Sequence, residues 1–215
     1  MTFPSPRTRN PVKLSDGTAH GGTVFLSAAT DHPRIRVGDY SYASAHVPPD
    51  DWAGHLAPYL YDFSPERLII GKFCQIADGV TFITASANHR HDGFSSFPLM
   101  IFTGGGAAAP SMPPSGPDTA VGHDVWIGQG ARIMPDAQIG NGLIIGAGAV
   151  VTGAIPDYAI VGGNPGRVLR TRFGPEIIET LNALAWWDWD IDTITAQEAV
   201  IAGGNLKALQ AVGPA

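Results

Sequence analysis

The sequence contains little charge, a single cysteine and no long apolar run. Charged residues make up 15% of its 215 positions, well below the roughly 25% of ordinary soluble domains. The lone cysteine, Cys74, excludes an internal disulfide, and the start of the chain shows no secretory leader, so the expected location is the cytoplasm. No apolar stretch reaches the roughly 18 residues that a membrane span needs, so we expect no membrane association.

The charge balance argues against nucleic acid as a partner. The chain has 13 Lys and Arg residues against 19 Asp and Glu, which gives a net charge of -6. A nucleic-acid footprint needs a basic stripe on the surface, and none is visible. The expected partners are therefore small molecules and other copies of the chain.

A six-residue repeat of aliphatic positions runs through the second half of the chain. An α-helix repeats its apolar positions every 3.6 residues and a strand every 2, so neither explains this spacing. A short strand followed by a tight turn does, and its repetition winds the chain into a parallel β-helix with three flat sides. The aliphatic positions are Val121, Ile127, Ile133, Ile139, Ile145 and Val151.

A second set of mostly small residues follows four positions after each aliphatic one and is expected to fill the corners of the prism. Flat sides pack well about a three-fold axis, and scarce charge suggests covered faces, so the sequence predicts a homotrimer. The corner set is Val125, Ala131, Ala137, Leu143, Ala149 and Ile155.

The same spacing occurs earlier, at Ile70, Ile76 and Phe82, but the two sets are out of phase. From Ile70 to Val121 is 51 positions, which is not a multiple of six. The chain must therefore leave the prism and return, and we place this excursion at residues 87–119 and a first one at 45–66. A long excursion without its own periodicity is commonly functional.

The pattern changes near residue 174, and this change sets the predicted domain boundary. Residues 1–173 form the β-helix, in which 1–34 cover the first coil, and residues 174–215 form a helical extension. Pro175 is placed to open a helix, and Thr195 with Glu198 matches a capping box for a second one. A cluster of three tryptophans is expected to plug an end of the prism, with ligand stacking as the alternative: Trp186, Trp187 and Trp189.

Several motifs together resemble a known family, the xenobiotic acetyltransferases of the hexapeptide-repeat superfamily. This family includes the type B chloramphenicol acetyltransferases and the streptogramin (virginiamycin) acetyltransferases. The resemblance extends from about Arg36 to Asp192. It rests on Val37-Gly38-Asp39-Tyr40-Ser41-Tyr42, Ile70-Gly71-Lys72-Phe73-Cys74, Ala87-Asn88-His89, Asp92-Gly93, Phe97-Pro98, Val121-Gly122, Asp124-Val125-Trp126-Ile127-Gly128, Gly162-Gly163-Asn164-Pro165 and Trp186-Trp187.

The resemblance implies a left-handed β-helix with a protruding active-site loop and a C-terminal helical cap. It also implies an acetyl-CoA-dependent O-acetyltransferase, in which acetyl-CoA is the co-substrate and each active site lies between two subunits of a trimer. The catalytic histidine of the family matches His89, whereas relatives commonly have Met at the position of His91. The implied acceptor is a hydroxyl of the chloramphenicol or streptogramin A type, and a sugar or other endogenous hydroxyl is the alternative.

Acetyl transfer to a hydroxyl needs a base that removes the hydroxyl proton, and an imidazole suits this task. Cys74 falls at an inward corner, where a free cysteine behaves as a small apolar residue, so we expect direct transfer without an acetyl-enzyme. Tyr40, Tyr42 and Trp52 either line the acceptor pocket or pack at a subunit contact. The expected acetyl-CoA contacts are Gly148, Ala149, Asn164, Pro165, Arg167 and Arg170, whose guanidinium groups suit phosphate.

Two other functions fit the same prism. A γ-type carbonic anhydrase holds zinc with three histidines on neighbouring coils, but the regular coils here contain only His123, so we predict no metal site. A scaffold that kept the fold without the chemistry would not be stabilised by acetyl-CoA, whereas an acetyltransferase would be.

Overall fold

The computed structural model describes residues 2–104 and 110–213 of the chain. The predicted excursion 87–119 and the predicted extension 174–215 therefore each include a few positions, 105–109 and 214–215, that lie outside the described residues. The first strands are β1 Thr23–Phe25, β2 Ile35–Val37, β3 Tyr42–Ser44, β4 Leu68–Ile70, β5 Gln75–Ile76 and β6 Thr81–Phe82. The later strands are β7 Thr119–Val121, β8 Trp126–Ile127, β9 Arg132–Ile133, β10 Gln138–Ile139, β11 Ile144–Ile145, β12 Val150–Val151, β13 Ala154–Ile155, β14 Ala159–Gly162 and β15 Arg167–Thr171.

These strands form three sheets around one core. The first sheet has the order β2-β4-β7-β10-β13, the second β1-β3-β5-β8-β11-β14-β15, and the third β6-β9-β12. Pairing is parallel within the coils, and only β1 and β15, at the two edges of the second sheet, run antiparallel to their neighbours among the described strands. Successive strands pass from the first sheet to the second and then to the third, so the predicted three-sided parallel β-helix is confirmed.

The aliphatic repeat fills the interior of the coil. Ile127, Ile133 and Val151 are completely buried, and the corner residues Ala131 and Ala149 are equally inaccessible. A strand of two residues exposes one side chain and buries the next because successive side chains point to opposite faces. The burial of the repeat therefore accounts for the whole inner surface of the prism.

The register across the long excursion agrees with the phase break in the sequence. Ile70 on β4 pairs directly with Val121 on β7, so the chain resumes the prism one coil further on after leaving it. The prediction for Ile155 was wrong. Ile155 is not a corner residue but pairs with Ile139 as an inward strand position, because only Thr152 and Gly153 separate β12 from β13.

Turns join the three sheets at three corners. The positions of the candidate site residues are described below relative to these corners. The first corner, between the first and second sheets, contains residues 38–41, 71–74, 122–125, 140–143 and 156–158. The second corner, between the second and third sheets, contains residues 77–80, 128–131 and 146–149. The third corner, between the third and first sheets, contains residues 134–137 and 152–153, and the long excursion leaves the coil there after β6.

Short helices replace the third side of the first coil. Helix α1 spans Leu26–Ala29 and helix α2 spans Trp52–Leu56, with the side chain of Asp51 accepting a hydrogen bond from the backbone N–H of Ala53 at the start of α2. The side chains of Leu26, Trp52 and Leu56 are buried against the core of the coil. The first excursion thus closes the beginning of the prism. A further short helix, α3, lies in the second excursion at Leu99–Phe102.

The C-terminal segment is helical, as the sequence predicts, and begins with Pro175. Its helices are α4 Pro175–Leu184, α5 Ile191–Ala196, α6 Glu198–Gly203 and α7 Leu206–Val212. The predicted capping box was wrong. Asp190 caps α5, and Thr195 lies inside that helix, where its hydroxyl donates to the carbonyl of Ile191.

The tryptophan cluster lies on the side of the coil. Trp186 packs on Phe73 with ring centroids 5.0 Å apart, and Trp187 stacks on His123 at 5.2 Å. Both partners are first-corner residues of successive coils. These contacts do not match the expected plug at an end of the prism, because the indole rings follow the corner instead. No helix within the described ranges is long and apolar enough to cross a membrane.

Candidate active site

The excursion at the third corner presents an exposed imidazole whose orientation is fixed. A single tight turn at Ala85–Ala87 leads from β6 to Asn88 and His89. The Nδ1 atom of His89 lies 3.0 Å from the carbonyl oxygen of Ser96. A carbonyl only accepts hydrogen bonds, so Nδ1 carries the proton in this arrangement. In the neutral imidazole with this tautomer, Nε2 carries the free lone pair that a general base requires.

Two consecutive residues of the coil hold the two ends of this excursion. The carboxylate of Glu66, which is buried, accepts a 2.6 Å hydrogen bond from the backbone N–H of Ser86 at the start of the excursion. The guanidinium of Arg67 donates to Asp118 at its end through Nε and Nη2, at 2.9 and 2.7 Å. This hydrogen bond also holds the pKa of the Asp118 carboxyl below its usual value. Glu66 and Arg67 together therefore form a clamp at the base of the excursion.

A second set of polar contacts braces the excursion near its tip. The guanidinium of Arg90 donates to Asp92 at 2.6 Å and to the carbonyl of Pro110 at 2.6 Å, which joins the outgoing and returning limbs. The neighbouring imidazole, His91, contacts the carbonyl of His89 at 3.4 Å and is exposed to solvent. Of the two imidazoles, His89 thus makes the shorter bond to a backbone carbonyl.

A groove of about 410 Å³ lies on the outer face of the second sheet, near the second corner. Tyr42, Gln75 and Trp126 stand side by side on strands β3, β5 and β8, in a parallel register that places Gln75 between the two aromatic rings. Trp126 is half exposed, which is unusual for so large an apolar side chain. His46 and Asp78 line the corner side of the groove, with Nε2 of His46 3.8 Å from an Asp78 carboxylate oxygen.

The other two predicted acceptor residues lie elsewhere. Tyr40 stacks on Phe73 at 5.1 Å in the first corner, and burial raises the pKa of its hydroxyl. Trp52 is 2% exposed in the core, where it closes the first coil. Both side chains pack within their own chain, so Trp52 lies neither in an acceptor pocket nor at a subunit contact, and of the three only Tyr42 lines the groove.

The predicted acetyl-CoA residues come together at the second corner. Gly148 adopts a φ of +67°, and a side chain added there would meet open space. The hairpin that joins β14 to β15 lies beside it, because the carbonyl of Gly163 accepts from the N–H of Val150 and the N–H of Gly166 donates to the carbonyl of Val150. Asn164 and Pro165 are exposed in this hairpin, and Arg167 and Arg170 are exposed on β15.

Two details differ from the sequence-based expectation for this cluster. Ala149 is fully buried, so it presents no accessible surface to a ligand. Arg172, which follows the other arginines in the sequence, turns away from them toward the first corner, where its Nη1 atom donates to the carbonyl of Gly142 at 2.6 Å. Arg167 and Arg170 remain as the exposed cations of the cluster.

His89 and this cluster are separated within one chain. His89 leaves from the third corner, whereas Gly148 and the hairpin lie at the second corner and the groove lies on the second sheet. Several large apolar side chains of the excursion, among them Phe94, Phe97 and Phe102, are exposed.

Cys74 is a structural residue. Its side chain is fully buried, and Sγ lies 3.1 Å from the carbonyl oxygen of Gly122. Burial raises the pKa of the thiol to about 11, so the reactive thiolate is scarce at neutral pH. The predicted role as a small corner residue is confirmed, and the thiol is unsuited to accept an acetyl group.

His123, the single histidine in the regular coils, also has a structural role. Its Nδ1 atom accepts a 2.9 Å hydrogen bond from the backbone N–H of Lys72, and its ring stacks on Trp187. Burial lowers the pKa of this imidazole, which keeps it neutral. Within the described ranges, no group of three or more potential metal-ligating side chains was found.

Sequence reasoning missed the outward-facing residues of the groove and the clamp. Trp126 and Gln75 directly precede inward positions of the repeat, so strand alternation alone identifies them as outward-facing. The contacts of Glu66 with Ser86 and of Arg67 with Asp118 join residues far apart along the chain. No sequence pattern indicates them.

Comparison with known proteins places the chain among acetyltransferases. The family model described as bacterial transferase hexapeptide (six repeats) matches residues 118–153. A chloramphenicol acetyltransferase of Escherichia coli is 40% identical over 86% of this chain and 90% of its own length. The virginiamycin A acetyltransferase of Staphylococcus aureus is 37% identical over 96% of this chain and 92% of its own length. A solved hexapeptide-repeat acetyltransferase of Vibrio cholerae is 23% identical, with a TM-score of 0.45 over 66% of this chain and 64% of its own.

Proposed function

This chain belongs to the hexapeptide-repeat acetyltransferases, and from that premise we propose that it transfers acetyl from acetyl-CoA to a hydroxyl of a small xenobiotic acceptor, with His89 as general base. The proposed acceptor is a bulky, largely apolar alcohol of the chloramphenicol or streptogramin A type. The observation that carries the role of His89 is the 3.0 Å hydrogen bond from Nδ1 to the carbonyl of Ser96. It supports the tautomer in which Nε2 is free to take a proton.

In the proposed mechanism, acetyl-CoA supplies the acetyl group as a thioester. Nε2 of His89 removes the proton from the acceptor hydroxyl as the oxygen forms its bond to the acetyl carbon. The imidazolium then returns the proton to the sulfur as the carbon–sulfur bond breaks, so that the products are the acetyl ester and free CoA. General base catalysis of this kind accelerates a reaction about 10²- to 10⁴-fold, and holding both substrates together supplies a further factor.

Direct transfer is the proposed route, without an acetyl-enzyme. The buried thiol of Cys74, with a pKa raised to about 11, is a poor nucleophile at neutral pH. The backbone of Gly148 and the exposed guanidinium groups of Arg167 and Arg170 fit the thioester arm and the phosphates of acetyl-CoA, respectively. Asn164 and Pro165, which are exposed, would line the same site, whereas Ala149 is buried behind the Gly148 turn and supports it from inside the coil.

The proposed assembly is a homotrimer with each active site between two copies. The separate corners of His89 and the acetyl-CoA cluster support this, and so does the exposed apolar surface of the excursion. The proposed groove for the acceptor is the one lined by Tyr42 and Trp126, while Tyr40 and Trp52 contribute packing. A left-handed winding, a helical cap and a cytoplasmic location are further parts of the proposal that follow from the resemblance and from the composition.

Substitution of His89 tests the proposed base. We expect His89→Ala to bind acetyl-CoA with unchanged affinity, measured by calorimetry, and to lose about 10²- to 10⁴-fold in kcat, measured as thiol release. His91→Ala is the matched control, because this exposed imidazole makes no short orienting bond, and its kcat should stay within about twofold of the wild-type value. Near-normal turnover of His89→Ala would remove the residue from the mechanism.

The acceptor class is tested by a panel assayed in parallel. Thiol release from acetyl-CoA is followed with chloramphenicol, a streptogramin A and a set of sugars. The proposal expects the highest kcat/KM with one of the two antibiotics. A sugar that exceeds both by tenfold or more would assign the enzyme to an endogenous hydroxyl instead.

A further inference from the structure

A second cavity lies between the C-terminal helices and the first corner of the coil. Its volume is about 340 Å³, at the lower end of the range for small-molecule sites. None of its lining residues belongs to the groove of Tyr42 and Trp126. Most of its wall is aliphatic and comes from helices α4, α6 and α7, through Ile177, Leu181, Val200, Ile201, Leu206 and Leu209.

The coil side of this cavity carries a buried hydroxyl without a partner. Tyr158 lines the cavity and is 2% exposed, and its hydroxyl makes no hydrogen bond to any part of the chain that the structure describes. Leaving a buried polar group unpaired costs roughly 1–3 kcal/mol. Such groups are normally satisfied by water or by a ligand.

The hydroxyl cannot easily turn elsewhere, because the ring is held from several sides. Tyr158 meets Phe173 edge-on at 5.8 Å, and the guanidinium of Arg172 lies over its ring at 5.6 Å from the centroid. The ring also packs over Gly142, where no side chain fits. The position of the hydroxyl is therefore a fixed property of the first corner.

Two opposite charges line the cavity beside this hydroxyl. A carboxylate oxygen of Asp124 lies 3.8 Å from Nη1 of Arg172, which is longer than a hydrogen bond. Gln75 makes the other described contact with the carboxylate, at 3.4 Å. A carboxylate has about four lone-pair positions, so acceptor capacity remains. Because the two charges offset each other, neither a cationic nor an anionic ligand is favoured.

We propose that this cavity binds a small neutral amphipathic molecule, with an aliphatic body and one terminal hydroxyl. The ligand hydroxyl accepts a hydrogen bond from Tyr158 and donates one to Asp124, while the aliphatic body lies against α4, α6 and α7. The site is independent of acetyl transfer and uses none of the residues assigned to that reaction.

Binding of 1-octanol tests this site. Isothermal titration calorimetry should show one saturable site per chain in the wild-type protein. The isosteric ether 1-methoxyheptane, which keeps the acceptor oxygen and lacks the donor, should bind about 3- to 10-fold more weakly. Tyr158→Phe should weaken the binding of 1-octanol by a similar factor. Absence of saturable binding, or equal affinity of Tyr158→Phe and wild type, would overturn the proposal.

A pair of surface variants locates the binding event. Ala202→Trp fills the mouth of the cavity from helix α6 and should abolish 1-octanol binding. Ala199→Trp places the same bulk on the exposed face of the same helix, outside the cavity, and should leave it unchanged. If Ala202→Trp binds like the wild type, 1-octanol occupies another site and the proposal fails.

Tyr158→Phe should also unfold at no lower temperature than the wild type, because it removes an unpaired hydroxyl.

Discussion

At the scale of single residues, the first corner is built from backbone conformations that most side chains avoid. Tyr40, Phe73, Asp124 and Tyr158 have φ values of 63°, 57°, 54° and 55° at equivalent turn positions. The left-handed conformation costs roughly 1–2 kcal/mol for a residue other than glycine. These side chains stand in one column outside the corner, and Phe73 receives Trp186 from the C-terminal segment. The strained turns therefore create the surface on which that segment packs.

Asp124 in this column gives the stability a defined dependence on pH. Burial raises the pKa of its carboxyl from 3.8 to about 6. The native state then holds a proton more tightly than the unfolded state, so the stabilising contribution is complete below about pH 4 and is lost as the pH rises to about 6. Relative to Asp124→Asn, the wild type should lose about 2–3 kcal/mol of unfolding free energy over this interval.

Urea unfolding of both proteins at one concentration, from about pH 4 to pH 7, measures this difference. The comparison with Asp124→Asn cancels the titration of the other carboxylates, because both chains contain them. Two parallel stability curves across this interval would show that the native carboxyl of Asp124 keeps its ordinary pKa.

At the scale of elements, the excursion depends on strand β4 for its anchorage. Glu66 and Arg67 precede β4 and hold Ser86 and Asp118, so the ends of the excursion are fixed even though many of its side chains are exposed. A general base needs to be placed within fractions of an ångström of its substrate. In the proposed mechanism, the clamp therefore positions His89 without touching substrate.

Loss of the clamp should reduce turnover more than binding. Arg67→Ala removes the ion pair with Asp118, and we expect a roughly 10- to 100-fold lower kcat with a nearly unchanged KM for acetyl-CoA. Arg67→Lys, which keeps the charge but not the paired N–H groups, should recover only part of the loss. Arg34→Ala is the control, because Arg34 donates to Asp62 in the first excursion. Equal kcat values for the two alanine variants would contradict the positioning role.

The sequence repeat predicted the coil well because burial is encoded residue by residue. The repeat predicts that the side chains of Val121, Ile127 and Ile133 point into the coil, and in the structure they do. Ile155 was misplaced because a turn shortened by two residues leaves no mark in composition. The capping box at Thr195 was wrong because α5, which begins after its cap Asp190, extends through Thr195, and α6 begins without a side-chain cap. The position of Trp186 and the clamp at Arg67 depend on contacts between distant parts of the chain, which periodicity does not report.

At the scale of the whole molecule, the residues of the proposed active site lie at different corners of the coil. His89 leaves the coil at the third corner, while Trp126 faces outward on the second sheet and Gly148 lies at the second corner. One chain does not place these groups on a common face. A cyclic assembly does so once per interface, which is how a three-fold arrangement would produce three equivalent sites.

Mixed assemblies test this division. His89→Ala and Trp126→Ala are each expected to be nearly inactive alone. When equal amounts are unfolded together and refolded, about a quarter of the interfaces combine an intact His89 from one copy with an intact Trp126 from the next. Thiol release should then recover to about a quarter of the value for refolded wild type. If one copy supplies both residues, the mixture will stay at the level of the separate variants.

The reversed strands at the two edges of the second sheet limit the length of the molecule. A parallel coil has no intrinsic stop, since its last turn offers unpaired backbone groups on which another molecule's coil can continue. Here the edge strands β1 and β15 run antiparallel to their neighbours, and β15 adds the positive charges of Arg167 and Arg170. A second coil could not continue the parallel pairing on β1 or β15, and at β15 it would also meet the two arginines. We therefore expect the edges of the second sheet to disfavour end-to-end stacking of copies.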